Sequence, residues 1–495
     1  MRRITCWLGI GLIVSCVAAV AQADVRLPKV YSDHAVLQRG LPLVVWGWAD
    51  PGEKVTVTLG GQTQEAIAGT NGTNGTWRVQ LSPLKTGSPL EMVVTGKNTI
   101  KVKDLLVGDV WLCSGQSNMQ MKLAEADNAK ETISRATNGQ IRLLGVGNDK
   151  SEKPLDDING TWSICSPRIV SHFSAVGYFF GKAIHDETGV PIGLIGTAYG
   201  GTPIEPWIRA DVWTRTATLA SLKVSPVLGH YYNGRIAPLV PYGIKGVIWY
   251  QGESNGGDGD IYIEKMRTLI GDWREVWGVY AGQKARNGGA PEYEFPFYYV
   301  QIANFREAND NPAGGDGWAR VRMAQTKALS IPKTGMAVAI DIGEAKNVHP
   351  VNKEDVGKRL ALWALARDYG RSGLVCSGPI YKGMQVQGNA IRVSFDHADK
   401  GLMIGRKEGH GPAVEAKADT ATPDAKPELR RFAIAGADKK WFWADASIDG
   451  STVLVASTNV PAPVAVRYAF SMNPSGCNLY NKDGLPASPF RTDEW

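Results

Sequence analysis

Apolar and polar positions follow two rhythms along the chain. From Val25 to about Val107 they alternate in short runs, Leu43–Trp48, Lys54–Leu59, Trp77–Leu81 and Leu90–Val94, separated by turns such as Pro51-Gly52 and Gly60-Gly61. Period-two alternation between turn residues predicts antiparallel strands, here a β-sandwich. Beyond Val107 the apolar runs become continuous, near 107–113, 191–197, 244–250, 295–303 and 335–341. Stretches of helical spacing near 171–187, 260–277, 317–329 and 352–369 lie between or after them, and the polar stretch 120–135 tolerates helix. Uninterrupted apolar strands alternating with helices predict a parallel sheet covered on both faces, a three-layer α/β domain. From about Ser372 short strands return at Ile391–Phe395, Arg431–Ala435, Trp441–Ala444 and Val453–Ala456, interrupted by a polar loop at 412–428. The expected divisions are a leader at 1–23, a β-sandwich at 24–107, the α/β domain at 108–371 and a β-rich domain at 372–495.

Composition narrows the function classes. A chain of 495 residues exceeds what one core serves. The net charge of +6 is spread without a Lys/Arg block, so charge gives no case for nucleic acid. Sixteen Trp and sixteen Tyr suit β-domain cores and leave some rings for stacking on sugars. Arg2 and Arg3, the apolar run Trp7–Val20 and Ala21-Gln22-Ala23 predict a secretory signal, with a mature start near Asp24. A lipoprotein site ending at Cys16 is the second choice, because the apolar run continues past it. No other stretch approaches the ~20 apolar residues of a membrane span. The expectation is a secreted or periplasmic protein without a span. Secretion permits disulfides among Cys113, Cys165, Cys376 and Cys477, with Cys376 and Cys477 able to pair. Asn71, Asn74 and Asn159 stand in Asn-x-Thr sequons. No Cys or His spacing points to a metal.

Candidate chemistry collects at the carboxyl ends of the predicted parallel strands, where α/β sheets bind ligands. The first ends in Ser114-Gly115-Gln116-Ser117, which exposes a serine beyond a buried strand. The second ends in Tyr199-Gly200-Gly201-Thr202, whose glycines present unobstructed backbone amides of the kind an oxyanion hole needs. The third ends in Gln251-Gly252-Glu253, an amide followed by a carboxylate. The fifth runs from Asp341 through Glu344 to His349. Of the seven histidines only His349 sits just past an α/β strand, which makes it the candidate base for a serine nucleophile.

Gly115-Gln116-Ser117-Asn118-Met119, Gly200-Gly201-Thr202-Pro203-Ile204-Glu205, Trp249-Tyr250-Gln251-Gly252-Glu253-Ser254-Asn255 and Asn347-Val348-His349-Pro350 together resemble the sialate O-acetylesterase family of SGNH-type hydrolases. The flanking Ser32-Asp33-His34 and the ending from Asn478 to Thr492 look like it too. The resemblance implies an SGNH or flavodoxin-like hydrolase domain between β-sandwich-like domains, acting on O-acetylated carbohydrates without metal or organic cofactor. It implies Ser117 as nucleophile, His349 as base and an oxyanion hole from Ser117, Gly201 or Gly200, and the Gln251 side chain. Gln116, Glu253 and Asn233 are expected to contact substrate. SGNH hydrolases usually carry Asp three residues before the histidine, whereas Lys346 stands there. Asp341 is the favoured orienting acid, Glu344 the next, and a Ser–His dyad the third option. The resemblance implies acetylated sialic acid as the substrate, with acetylated hemicellulose or another plant or algal polysaccharide as the alternative. A degenerate hydrolase that only binds carbohydrate is the competing class, against which stands the presence of Ser117, Gly201, Gln251 and His349.

Overall fold

A computed structural model describes residues 24–70, 75–147, 149–224, 227–279, 294–417 and 427–495. The expected leader with Cys16, the sequons at Asn71 and Asn74, and positions 418–426 of the polar loop lie outside the described residues. Asn159 is exposed.

Among the described residues the central path of an 11-stranded sheet has seven strands: β1 (Thr99–Gly115), β2 (Asn138–Gly145), β3 (Ser163–Cys165), β4 (Ile192–Gly196), β5 (Gly246–Tyr250), β6 (Phe297–Gln301) and β7 (Thr334–Val338). Their order is β7-β6-β5-β1-β4-β2-β3, parallel throughout except for the antiparallel edge β3. Strand β2 was not expected. Its Ile141, Leu143 and Leu144 are buried, but Arg142 interrupts the apolar run, and only folding supplies the Asp104 carboxylate that receives this guanidinium at 2.6 Å. Edge strand β3 was not expected either; β4 to β7 and the four helices at 171–187, 260–277, 317–329 and 352–369 fall within about four residues of their predicted places, while β1 begins eight residues before the run at 107–113.

Strand β1 is the spine. Its first part pairs antiparallel with Leu90–Thr95 of the N-terminal sheet, Leu106–Gly108 pairs parallel with Val36–Gln38, and Asp109–Gly115 lies between β4 and β5. One unbroken strand thus crosses position 107, and one apolar core extends from the N-terminal strands into the α/β layers. The C-terminal strands enclose a second core around Ile391, Phe432, Val453 and Val466.

Helices cover both faces. On one, α2 (Ala175–Thr188) and α5 (Lys353–Asp368) pack over Trp111, Cys113 and Tyr298, with Phe180 meeting Trp111 edge-on at 4.9 Å. On the other, α3 (Ile261–Gly278) sets Trp273 against Trp249 and Phe297, and α4 (Ala319–Lys327) accepts the Tyr299 hydroxyl at its Gln325 carbonyl. Rings large enough to fill both layers account for part of the tryptophan content. The four cysteines described are free thiols, so the disulfide that secretion would permit between Cys376 and Cys477 is not made. Cys477 lies beside Tyr480 and Asp341, while Cys376 lines a separate cavity with His397.

Helices α2 and α5 approach closely at Gly357. A Cβ there would stand 2.7 Å from Phe179 Cβ and 2.8 Å from the Val176 carbonyl oxygen. Gly357→Ala should therefore lose about 1–3 kcal/mol by overpacking, although alanine favours an isolated helix by up to ~1 kcal/mol. Urea unfolding reads the difference, and an unchanged or raised midpoint would show that the helices have room.

Candidate active site

Strand order reverses at β1: the chain places β4 and β2 on one side of it and β5, β6 and β7 on the other. Such a switch point opens a crevice at the carboxyl edge, and Ser117 lies two residues past the end of β1. The turn that exposes it is held from both flanks, by Gln116 N–H donating to Tyr250 O at 2.9 Å and Tyr199 N–H donating to Gly115 O at 3.0 Å. Gly115 has φ +129, and a Cβ on it would lie 2.2 Å from Tyr250 O, so no other residue fits. Ser117 then begins the short helix α1 of Ser117–Gln120, where the early N–H groups have no helical acceptor. Across 232 residues of sequence, His349 Nε2 stands 2.8 Å from Ser117 Oγ. The imidazole is half-buried, and burial first, then the charge of Lys353, hold its pKa below the ordinary histidine value, with Glu125 opposing.

The other expected site residues divide. Gly200 packs beside the serine, where a Cβ would be 3.5 Å from Ser117 Cβ, but its N–H donates to Gln120 Oε1 at 2.7 Å. Gly201 is exposed, at φ +72, with open space beside its Cα. Gln251 is corrected as an oxyanion donor. Its side chain has 0% exposure, and its Nε2 donates to Gln116 Oε1, Thr202 O and Asn255 Oδ1 while its Oε1 accepts from Tyr262. Gln116 is buried as the receiving end of that network, and Asn233 is turned to the Ser151 and Glu152 carbonyls. Both hold loops in place. Glu253 accepts from Asn118 at 2.6 Å, and its second oxygen is buried without a partner.

Asp341 is likewise corrected. Its carboxylate takes two hydrogen bonds from Arg359 at 2.6 and 2.8 Å and one from Tyr480 at 3.3 Å; none of its hydrogen bonds goes to His349. A guanidinium on α5 outcompetes the imidazole for a strand-end carboxylate because it offers two parallel donors. Glu344 braces the histidine loop, accepting from Val351 N–H at 2.8 Å and from Asn347 at 3.3 Å, while Asn347 in turn accepts from His349 N–H.

Sequence reasoning passed over Asn118 and Lys353. Asn118 Nδ2 donates to Glu253 and to Val348 O, and its Oδ1 accepts from the wholly buried Lys353 ammonium. A signal was available: Lys353 begins a helix, where a cation opposes the dipole and so calls for a specific partner. Burial pushes Lys353 down to about 7, against the pull of Glu253, Glu344 and Asp127.

The model of the sialic acid-specific acetylesterase family of carbohydrate esterases matches residues 107–365. Human sialate O-acetylesterase is 32% identical over 94% of this chain and 92% of its own length, and the mouse enzyme 29% identical over 97% and 96%. A solved carbohydrate acetylesterase from Xanthomonas citri is 37% identical and covers 95% of this chain and all of its own, with a TM-score of 0.82. A Ser–His contact at the carboxyl edge of a three-layer sheet, together with these relatives, defines the class: the protein is a carboxylic ester hydrolase. Within that class it belongs to the sialic acid-specific acetylesterase family of carbohydrate esterases.

Asp341→Asn separates the two possible roles of that carboxylate. Leaving the buried Arg359 guanidinium without its charge partner should cost about 3–5 kcal/mol of stability. The protein that stays folded should keep kcat/KM within about tenfold of wild type, since no bond to His349 is lost. A loss near 10⁴-fold with unchanged Tm would restore Asp341 as the acid that fixes the imidazole tautomer.

Proposed function

We propose that the protein is a secreted or periplasmic serine esterase of the SGNH type that removes O-acetyl groups from carbohydrates, with acetylated sialic acid as its substrate. The observation that carries this reading is the 2.8 Å contact between Ser117 Oγ and His349 Nε2. Ser117 attacks the acetyl carbonyl while His349 takes its proton. The sugar hydroxyl leaves with that proton, and water activated by the same histidine releases acetate from the acetyl-enzyme. The amides of Ser117 and Gly201 receive the oxyanion, since the Gly200 amide is engaged by Gln120 and the Gln251 amide by Gln116, Thr202 and Asn255. With Asp341 paired to Arg359, the imidazole acts in a dyad whose loop Glu344 braces.

Acetylated plant or algal polysaccharide is a second substrate reading, supported by the 37% identity to a bacterial carbohydrate acetylesterase. Acetate release from a panel of acetylated sialic acids and polysaccharides decides between them, and release from neither by an otherwise folded chain would favour the binding-only class. Ser117→Ala should lower turnover of any substrate found by at least ~10⁴-fold. Equal rates for wild type and variant would end the mechanism.

The pH profile follows from the environment of His349. A base whose pKa is held down stays neutral, and therefore competent, to lower pH. The acidic limb of kcat/KM should then have its midpoint below the ordinary histidine value of about 6.5. A midpoint above 7 would mean that a carboxylate governs the imidazole after all.

A further inference from the structure

Lys353 is the first residue of α5 and is wholly buried, with its Nζ 5.3 Å from the centre of the Tyr250 ring. A buried cation at a helix start is costly twice over, through lost hydration and through the dipole. The protein retains it against that cost and, among the described residues, gives it a single hydrogen-bond acceptor, Asn118 Oδ1 at 2.5 Å. An ammonium only donates, so it dictates which way the Asn118 amide points. The Nδ2 end is thereby turned to Glu253 Oε1 at 2.6 Å and to Val348 O at 3.1 Å. Asn118 follows Ser117 directly, Val348 precedes His349 directly, and Glu253 stands on the turn after β5. One amide joins the three segments that meet at the reacting pair.

We propose that Lys353 is a positioning residue of the ester hydrolysis: it orients the Asn118 amide, which clamps the Ser117 turn to the His349 loop at the spacing proton transfer needs. The inference rests on the esterase reading above. A clamp of this kind acts on kcat and leaves KM nearly unchanged, because it sets the distance between serine and imidazole and touches no part of the sugar.

The same ammonium has an electrostatic consequence. His349 is faced by the Ser117 hydroxyl, by Lys353 from α5 and by Glu125 from the turn at Leu123–Glu125. Lys353 is faced by Glu253 after β5, Glu344 after β7 and Asp127 after the Leu123–Glu125 turn, with Arg322 of α4 behind Glu253. A cation near the imidazole disfavours its protonated form, so Lys353 helps to keep the base free in mildly acid solution.

The test uses the full chain, with 4-nitrophenyl acetate as substrate and initial rates between pH 5 and 9. Lys353→Met and Asn118→Leu should each lower kcat by about 10- to 100-fold with KM within about twofold. Combining them should lower it little further, because both break one link. The acidic limb should move upward in Lys353→Met by on the order of half a pH unit, and by no more than that in Asn118→Leu, where the lysine stays but loses its acceptor. A merely structural lysine would not move that limb. A kcat within twofold of wild type in either variant overturns the clamp, and should Lys353→Met fail to fold, Asn118→Leu still decides it. An unmoved limb in folded Lys353→Met overturns the electrostatic part. A wild-type chain without esterase activity overturns the parent reading instead, so the two failures are distinguishable.

Discussion

Every part of the site depends on how strand β1 ends. Between β4 and β5 its last residues have both edges hydrogen-bonded, and the backbone of Gly115 lies against Tyr250 too closely for any side chain. The chain can leave the sheet there only by a sharp turn, and that turn lifts Ser117 out of the sheet at its carboxyl edge, beside His349. Since the same strand also closes the N-terminal sheet, the β-domain and the reacting edge share one rigid element. Rigidity of this kind is what an acyl-transfer site needs, because misplacing the serine by about 1 Å can cost on the order of 10²-fold in rate.

Beneath the reacting pair lies a polar layer that reaches little solvent. Gln251 is bonded to Gln116, Asn255 and Tyr262, while Asn255 donates to Glu205 and Asp258, both of which also receive the buried Lys265 ammonium at 2.6 Å. Fully satisfied buried networks specify one arrangement, because any slip would strand a donor or a charge. The motifs around Glu205 and Gln251 thus meet each other inside the protein, and their polar residues shape the edge from below. On the other flank Lys353, Asn118 and Glu253 form a second polar cluster that is not fully satisfied, since one Glu253 oxygen has no partner among the described residues.

Strand ends and residue types were readable because they follow from local pattern. Continuous apolar runs announced five of the parallel strands, and the serine, the double glycine and the single well-placed histidine stood just beyond them. Strand β2 escaped because a buried arginine breaks its apolar run, and its partner Asp104 is 38 positions away in the chain. Asp341 was favoured as the orienting acid for its place at a strand end, but the decisive neighbour, Arg359, comes from the face of a helix 18 residues on. Gln251 was read as a donor to substrate because its residue type permits it, while its burial was not visible.

The amino-acid sequence by itself determined the alternation of strand and helix, the glycine at the turn and which side chains could do acyl chemistry, because these depend on backbone sterics and on periodicities of a few residues. Tertiary structure alone decided which polar groups face solvent and which are consumed by one another. Hydrogen-bond satisfaction and charge pairing are settled between segments from 18 to 235 residues apart, and no local pattern records which carboxylate a guanidinium will reach first.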